Sequence, residues 1–206
     1  MEADLFGYAP MEGRNLLPKD GEVKYFGRIF TPCEAEQIAD SLLKEVEWQN
    51  DKVIIFGKVM VTRRQVAWYA DKPYAYSYSG TTKTALPWPQ RLQEIKARVE
   101  AICRESFNSC LVNLYPSGAD GMEWHSDAEK ELRKNGTIAS LSFGAERQFQ
   151  FRHKTTKEVV SVFLENGSLL AMQGVTQSHW LHRLPKAAQI KTPRINLTFR
   201  QMDKRL

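Results

Sequence analysis

Pro193-Arg-Ile-Asn-Leu-Thr-Phe-Arg200 reads as a strand whose two faces differ in chemistry. Side chains alternate across a strand. Ile195, Leu197 and Phe199 therefore share one face, and Arg194, Asn196, Thr198 and Arg200 share the other. An edge strand with one solvated face shows the same alternation, its arginines spent on surface ion pairs. Alternatively the polar face lines a site, because a guanidinium pairs closely with a carboxylate. The residues upstream decide between the two.

Trp124-His-Ser-Asp places His125 and Asp127 two apart, and His179-Trp-Leu-His places His182 before the arginine strand. A His-x-Asp alone is common in surface turns. On a strand, however, residues i and i+2 share a face and reach one ion. Ser117, Gly118, Asp120 and Gly121 precede the pair, as at a barrel mouth. His153, His179 and His182 compete as third ligand; His153 sits in Phe-Arg-His-Lys, whose cations oppose a metal. His179 and His182 both stay open on this reading. Two histidines and a carboxylate leave three positions free on an octahedral iron. Zinc also accepts this set, but nearby arginines favour iron with a small organic acid, as in a 2-oxoglutarate-type oxygenase.

The chain has 206 residues, enough for one domain with a core that needs no staples. Its 42% hydrophobic and 26% charged residues fit a soluble globule, and no apolar run is long enough to span a membrane. Met1-Glu-Ala-Asp-Leu-Phe-Gly7 lacks a basic segment followed by an apolar one, so no secretory signal is expected. Cys33, Cys103 and Cys110 are odd in number and widely spaced, as expected of reduced intracellular thiols. A net charge of +5 is compatible with a polyanionic partner without requiring one.

Residues 1–20, with Gly7, Pro10, Gly13 and Pro18, read as an irregular arm. A strand is expected at 23–26. Thr31-Pro-Cys-Glu34 matches a capping box with proline at the first helical position, and Ile38, Leu42, Leu43 and Val46 continue that helix. A second helix follows Pro89, with Leu92, Ile95, Val99 and Ile102 on one face. Between the helices, Val53–Phe56 and Val59–Val61 suggest a hairpin broken at Gly57-Lys58, followed by Ala67–Tyr69 and Tyr74–Tyr78. Short strands are expected at 110–114, 138–143, 148–152, 159–164, 168–172 and 195–200. Helices followed by many strands predict an α+β fold with a jelly-roll or barrel-like sheet. Trp68, Tyr69, Tyr74, Tyr76 and Tyr78 lie among Lys52, Lys58, Arg63 and Arg64. That mixture suits base stacking and phosphate contact, and it also suits an ordinary packed hairpin.

Asn113-Leu-Tyr115, Trp124-His-Ser-Asp-Ala-Glu129, Ala139-Ser-Leu-Ser-Phe-Gly144, His179-Trp-Leu-His-Arg-Leu-Pro185 and Pro193–Arg200 together resemble the AlkB family of iron- and 2-oxoglutarate-dependent nucleic-acid dealkylases. The match runs from about residue 50 to 201 and more loosely from about 23. The resemblance implies a double-stranded β-helix, or jelly roll, with flanking helices. It divides the chain into the arm at 1–20 and one dioxygenase domain at 21–206, with a nucleotide-recognition lid at about 50–80 and a catalytic core at about 109–201. It makes His125, Asp127 and His182 the iron ligands and leaves His179 out. It puts 2-oxoglutarate on Asn113, Tyr115, Arg194, Asn196 and Arg200, with Arg194 on the far carboxylate and Arg200 beside the carboxylate next to the keto group. His125, Asp127, His182 and Arg200 form the implied catalytic set.

On the substrate side, the resemblance implies that Tyr78 stacks on a flipped base, with Tyr76 close by. Glu129 accepts from the exocyclic amine, Arg64 lies near the lesion, and Phe56 in Ile55-Phe-Gly-Lys58 fills the gap in the helix. Lys186-Ala-Ala-Gln189 stands where duplex-preferring members carry a basic cluster, and 155–166 is shorter than their basic loop. Trp124-His-Ser-Asp and His182-Arg-Leu-Pro-Lys186 look more like single-strand-preferring members. The implied activity is demethylation of 1-methyladenine and 3-methylcytosine in DNA, with RNA as an alternative polymer, using Fe(II), 2-oxoglutarate and O2. A monomer without membrane attachment is expected, in the cytoplasm of a bacterium or the nucleus of a eukaryote. The competing readings are an oxygenase of this fold acting on RNA, protein or lipid, and a non-catalytic nucleic-acid-binding module.

Overall fold

The computed structural model describes residues 14–55, 58–78 and 81–203, without the side chains of 52–59 and 75–83. Its strands are β1 (Glu22–Arg28), β2 (Gln49–Ile55), β3 (Lys58–Ala70), β4 (Ala75–Tyr78), β5 (Thr81–Thr84), β6 (Ser109–Tyr115) and β7 (Met122–His125). After these come β8 (Ile138–Gly144), β9 (Arg147–His153), β10 (Val159–Leu164), β11 (Ser168–Gln173), β12 (Trp180–Leu184) and β13 (Arg194–Arg200). The helices are α1 (Pro32–Glu45), α2 (Gln90–Cys103) and the single turn α3 (Thr176–His179). A seven-stranded sheet in the order β1-β11-β8-β13-β6-β3-β2 faces a four-stranded sheet in the order β10-β9-β12-β7. Two antiparallel sheets face to face, with helices outside, make the expected jelly roll. No helix among the described residues is long and apolar enough to cross a membrane.

Local chemistry sets the helix boundaries. The Thr31 hydroxyl accepts from the Glu34 N–H at 3.2 Å and Glu34 returns a bond to the Thr31 N–H at 2.8 Å, a closed capping box. At the far end of α2, Arg104 takes a left-handed conformation, φ 54°, which stops the helix. Ile38 and Leu42 of α1, and Leu92, Ile95 and Val99 of α2, pack on Ile195, Leu197 and Phe199 of β13 and their neighbours in the large sheet. This is the dry core. A second core between the sheets contains Tyr115, Ile138, Phe149, Phe151, Leu170, Met172 and Trp180.

The structure departs from the sequence reading in four places. The segments 59–61 and 67–69 are halves of one long strand, β3, because its first half pairs with β2 and its second with β6. The 50–70 region thereby extends the large sheet, and only β4 and β5 form a separate ribbon. β12 carries His182 and was not anticipated, and β5 was also unforeseen; Thr81-Thr-Lys-Thr84 offers no apolar alternation. Of the aromatic cluster, Tyr69 and Tyr74 are buried core residues, so the packed-hairpin reading holds for those two.

Candidate active site

β12 lies beside β7 with His182 directly across from His125, which brings the two imidazoles to 4.2 Å between ring centres. Asp127 is not on the strand as the sequence reading supposed: β7 ends at His125 and the chain turns out of the sheet. The turn is held by Gln177 of α3, whose side-chain oxygen accepts the Asp127 N–H at 2.9 Å. Lys154 ties the same turn down, donating to the Ser126 hydroxyl at 3.3 Å and the Gln177 carbonyl at 2.8 Å. Asp127 Oδ1 then lies 3.7 Å from His125 Nε2 and 3.8 Å from His182 Nε2. The three donor atoms lie within 4.8 Å of one another, close enough to share an ion.

Their hydrogen bonds suit a cation. His125 Nδ1 is 2.8 Å from the Glu123 carbonyl, so Nδ1 carries the proton and Nε2 presents its lone pair. Burial pushes the His182 imidazole down to about 3, against the pull of Asp127, which favours its neutral, metal-binding form. Burial pushes the Asp127 carboxyl up, but the charges facing it, the Arg200 guanidinium first, outweigh that and hold the group below its ordinary value. Arg200 donates to Asp127 Oδ2 at 2.6 Å, which leaves Oδ1 turned to the histidines. Two imidazoles and one carboxylate with oriented donor atoms fit Fe(II).

The triad sits in the wall of a cavity of about 530 Å³ that also receives Arg194, Asn196, Thr198 and Arg200. The polar face of β13 is therefore neither exposed nor spent on surface ion pairs. Arg194 is 2% exposed, and burial pulls its guanidinium down to about 10. Its Nη2 donates to Ser142 at 2.8 Å, and its Nε has no partner among the described residues. A buried cation lacking a carboxylate is poorly stabilised unless a ligand supplies one. A small diacid fits that deficit. Asn196 is anchored to Ser140 at 2.8 Å, and Asn113 and Tyr115 face it from β6.

Residues 22–200 match the family described as the 2OG-Fe(II) oxygenase superfamily. The mouse (Mus musculus) protein named DNA oxidative demethylase ALKBH2 is 40% identical over 185 residues, 84% of this chain and 77% of that protein. The human (Homo sapiens) Alpha-ketoglutarate-dependent dioxygenase alkB homolog 3 is 40% identical over 176 residues, 81% of this chain and 61% of the relative. The chain belongs to the AlkB family of 2OG-Fe(II) oxygenases. It is a dioxygenase whose cofactors are Fe(II), 2-oxoglutarate and O2. The structure of OsALKBH1 shares the fold with a TM-score of 0.59 at 17% identity, covering 90% of this chain and 98% of that one.

This AlkB-family cavity also takes in Glu129 and Arg64. Glu129 Oε2 is buried without a hydrogen-bond partner among the described residues, and its charge acts on Arg200. Arg64 is ion-paired with Asp51 and directs its other nitrogen toward Asn113 at 3.5 Å, so it faces the β6 side of the cavity. Tyr76 and Tyr78 lie on β4, but their side chains, like all of Phe56, are outside the described residues. His179 is exposed and faces His153 at 6.3 Å, away from the triad. The sequence reading missed Asp51, Ser140, Ser142, Lys154 and Gln177. Ser140 and Ser142 do alternate within Ala139-Ser-Leu-Ser-Phe143, a polar face on an apolar strand, and that signal could have found them. Gln177 and Lys154 carry none, since only the packing of α3 on the Asp127 turn gives them a role.

Proposed function

We propose that this enzyme oxidatively demethylates N-methylated bases, 1-methyladenine and 3-methylcytosine, in DNA, as an alkylation-repair enzyme. The observation that carries this reading is a single cavity holding three chemistries. It has a metal-capable triad on one wall and, among the described residues, a buried arginine lacking a carboxylate and a Glu129 oxygen without a partner. His125, Asp127 and His182 would hold the iron. Arg194 would receive the far carboxylate of 2-oxoglutarate, with Tyr115, Asn113 and Asn196 lining its path. Arg200 would orient both Asp127 and the carboxylate next to the keto group.

Iron, 2-oxoglutarate and dioxygen together supply the oxidising power that hydroxylates an N-methyl group, with succinate, carbon dioxide and then formaldehyde as the products. The chain's own contribution is to bind, orient and select. Methylated 1-methyladenine and 3-methylcytosine are cationic, and Glu129 meets that charge with an oxygen free to accept an exocyclic N–H. By the family resemblance Tyr78 would stack on the ring and Tyr76 would flank it. A base in a duplex must first be flipped out, at a cost of a few kcal/mol that is smaller for a base unable to pair. One dioxygenase domain follows the N-terminal arm, and an intracellular monomer acting on methylated DNA is the form we infer. The names of the ALKBH2 and alkB homolog 3 relatives support this reading.

Succinate release with a methylated oligonucleotide, compared with an unmethylated one, tests it. Strong stimulation by the methylated strand alone is expected; equal release with both would sink the repair reading. On strand preference, Lys186-Ala-Ala-Gln189 and the short 155–166 segment favour single-stranded DNA, with residual duplex repair through Phe56. Phe56→Ala should then reduce duplex repair and spare single-strand repair. A wild-type rate higher on duplex, with both substrates hit equally by Phe56→Ala, would reverse that preference.

A further inference from the structure

Arg147 is 1% exposed and no family motif quoted above includes it. β9 alternates, and Arg147 falls on the inner face with Phe149 and Phe151, between the two sheets. Its Nη2 donates to two backbone carbonyls, Asp120 at 3.0 Å and Pro185 at 2.5 Å. Its Nε and Nη1 have no partner among the described residues. Its electrostatic neighbours are the Tyr115 hydroxyl, Arg194 and the Asp120 carboxylate, and the last is also ion-paired with Arg63. Arg147 does not line the cavity, but its charge acts on two residues that do, Tyr115 and Arg194, and the chain joins it to Arg194 through the Ala145 N–H, which donates to the Pro193 carbonyl at 2.8 Å. Among the described residues neither guanidinium makes an ion pair with a carboxylate. Like charges so placed repel; Asp120, shared with Arg63, offsets part of this at Arg147, and a carboxylate bound at Arg194 would offset the rest.

We propose that Arg147 is a positioning residue for the distal carboxylate of the diacid co-substrate. It acts through space on the carboxylate held by Arg194, and it holds the Asp120 and Pro185 backbone beside the site. The inference rests on the reading of this cavity as the 2-oxoglutarate site. The two carbonyls that Arg147 grips belong to the segment entering β7 and the segment leaving β12, the strands of His125 and His182. Those segments are already zipped together: Ala187 N–H donates to the Gly118 carbonyl at 2.7 Å, and a Cβ on Gly118 would meet the Ala187 oxygen at 1.9 Å. The clasp therefore has other support, and what is left to explain is the positive charge of Arg147, met by the shared Asp120 alone, and its two donors without a partner among the described residues. A ligand with a distal carboxylate uses that charge. A ligand without one does not.

The test uses the full chain loaded with Mn(II), without DNA. Binding of 2-oxoglutarate is compared by calorimetry with binding of 2-oxobutyrate, which has the same chelating head and no distal carboxylate. For Arg147→Met, 2-oxoglutarate should bind about tenfold more weakly, the worth of one charge-assisted interaction. 2-Oxobutyrate and Mn(II) should bind as in the wild type. Arg147→Lys restores the charge without the fork and should recover most of the loss. In turnover, the 2-oxoglutarate KM should rise while kcat stays. Equal weakening of both acids, or of Mn(II), would make Arg147 a structural clasp and overturn the proposal; so would no weakening at all. Arg194→Met separates the two levels of inference. If it selectively weakens 2-oxoglutarate and Arg147→Met does not, only the Arg147 role fails. If neither variant discriminates between the acids, the co-substrate reading of the cavity fails with it.

Discussion

Among the described residues, two groups of two histidines and one aspartate come close enough to share an ion: His125, Asp127 and His182, and Asp20, His153 and His179. Their composition is the same, and their surroundings are opposite. In the first group, His125 donates from Nδ1 to a backbone carbonyl and keeps the Nε2 lone pair for a metal. In the second, His153 Nδ1 accepts from the N–H groups of Thr155 at 3.3 Å and Thr156 at 3.0 Å. A neutral ring then carries its proton on Nε2 and donates it to Asp20 at 3.2 Å, so the lone pair a metal needs is already used. The first group also opens into a cavity with a buried arginine, and Asp20 and His179 of the second are exposed. Proximity of ligand-type residues is therefore a weak criterion. Where the backbone places the imidazole proton separates a metal site from a hydrogen-bonded latch.

The contrast is most open to attack at the triad. His125→Ala, Asp127→Ala or His182→Ala should each abolish turnover and Mn(II) binding by equilibrium dialysis, because an open three-ligand site has no ligand to spare. Asp20→Ala and His179→Ala should leave both intact. Metal lost in His179→Ala and kept in His182→Ala would exchange the two groups' roles.

Next in size is Arg194→Lys, which replaces a fork by a point charge. The 2-oxoglutarate KM should rise by about tenfold or more, the scale of one charge-assisted bond. An unchanged KM would mean that the buried charge of the first cavity has no part in anion binding, removing one of the features that distinguish it.

Glu129→Ala should act selectively. Repair of 3-methylcytosine, which has an exocyclic amine and a positive charge, should fall by about tenfold, and repair of 3-methylthymine should fall much less. Equal losses in the two rates would show that Glu129 shapes the cavity without reading the base.

The smallest effect belongs to the second group. Asp20→Asn removes a half-exposed partner of His153, and should cost at most about 1 kcal/mol in a denaturant titration, with activity unchanged. A loss of activity larger than the loss of stability would give that group a function of its own.

Periodicity and caps were legible from the chain alone. The Thr31–Glu34 capping box, the apolar faces of α1 and α2, and the alternation of β13 follow from local rules that need no knowledge of what packs on them. The polar face of β13 also showed which residues share a surface. It did not show whether that surface meets water or a cavity, since an edge strand gives the same pattern. That was settled by the position of β13, flanked by β6 and β8 inside the large sheet, with the small sheet stacked over it. The pairing of His182 with His125 was likewise invisible to local rules, although the family resemblance made both of them iron ligands. They are 57 residues apart in sequence, 182 minus 125, and β12 has no periodicity strong enough to announce itself. Residue type and alternation are local properties, so the sequence by itself determined which side chains could act together. Strand register and tautomer depend on backbone groups brought in from elsewhere in the chain, so the family resemblance could name the histidines, but only the tertiary structure decided how they meet in one cavity and which ring nitrogens face the backbone.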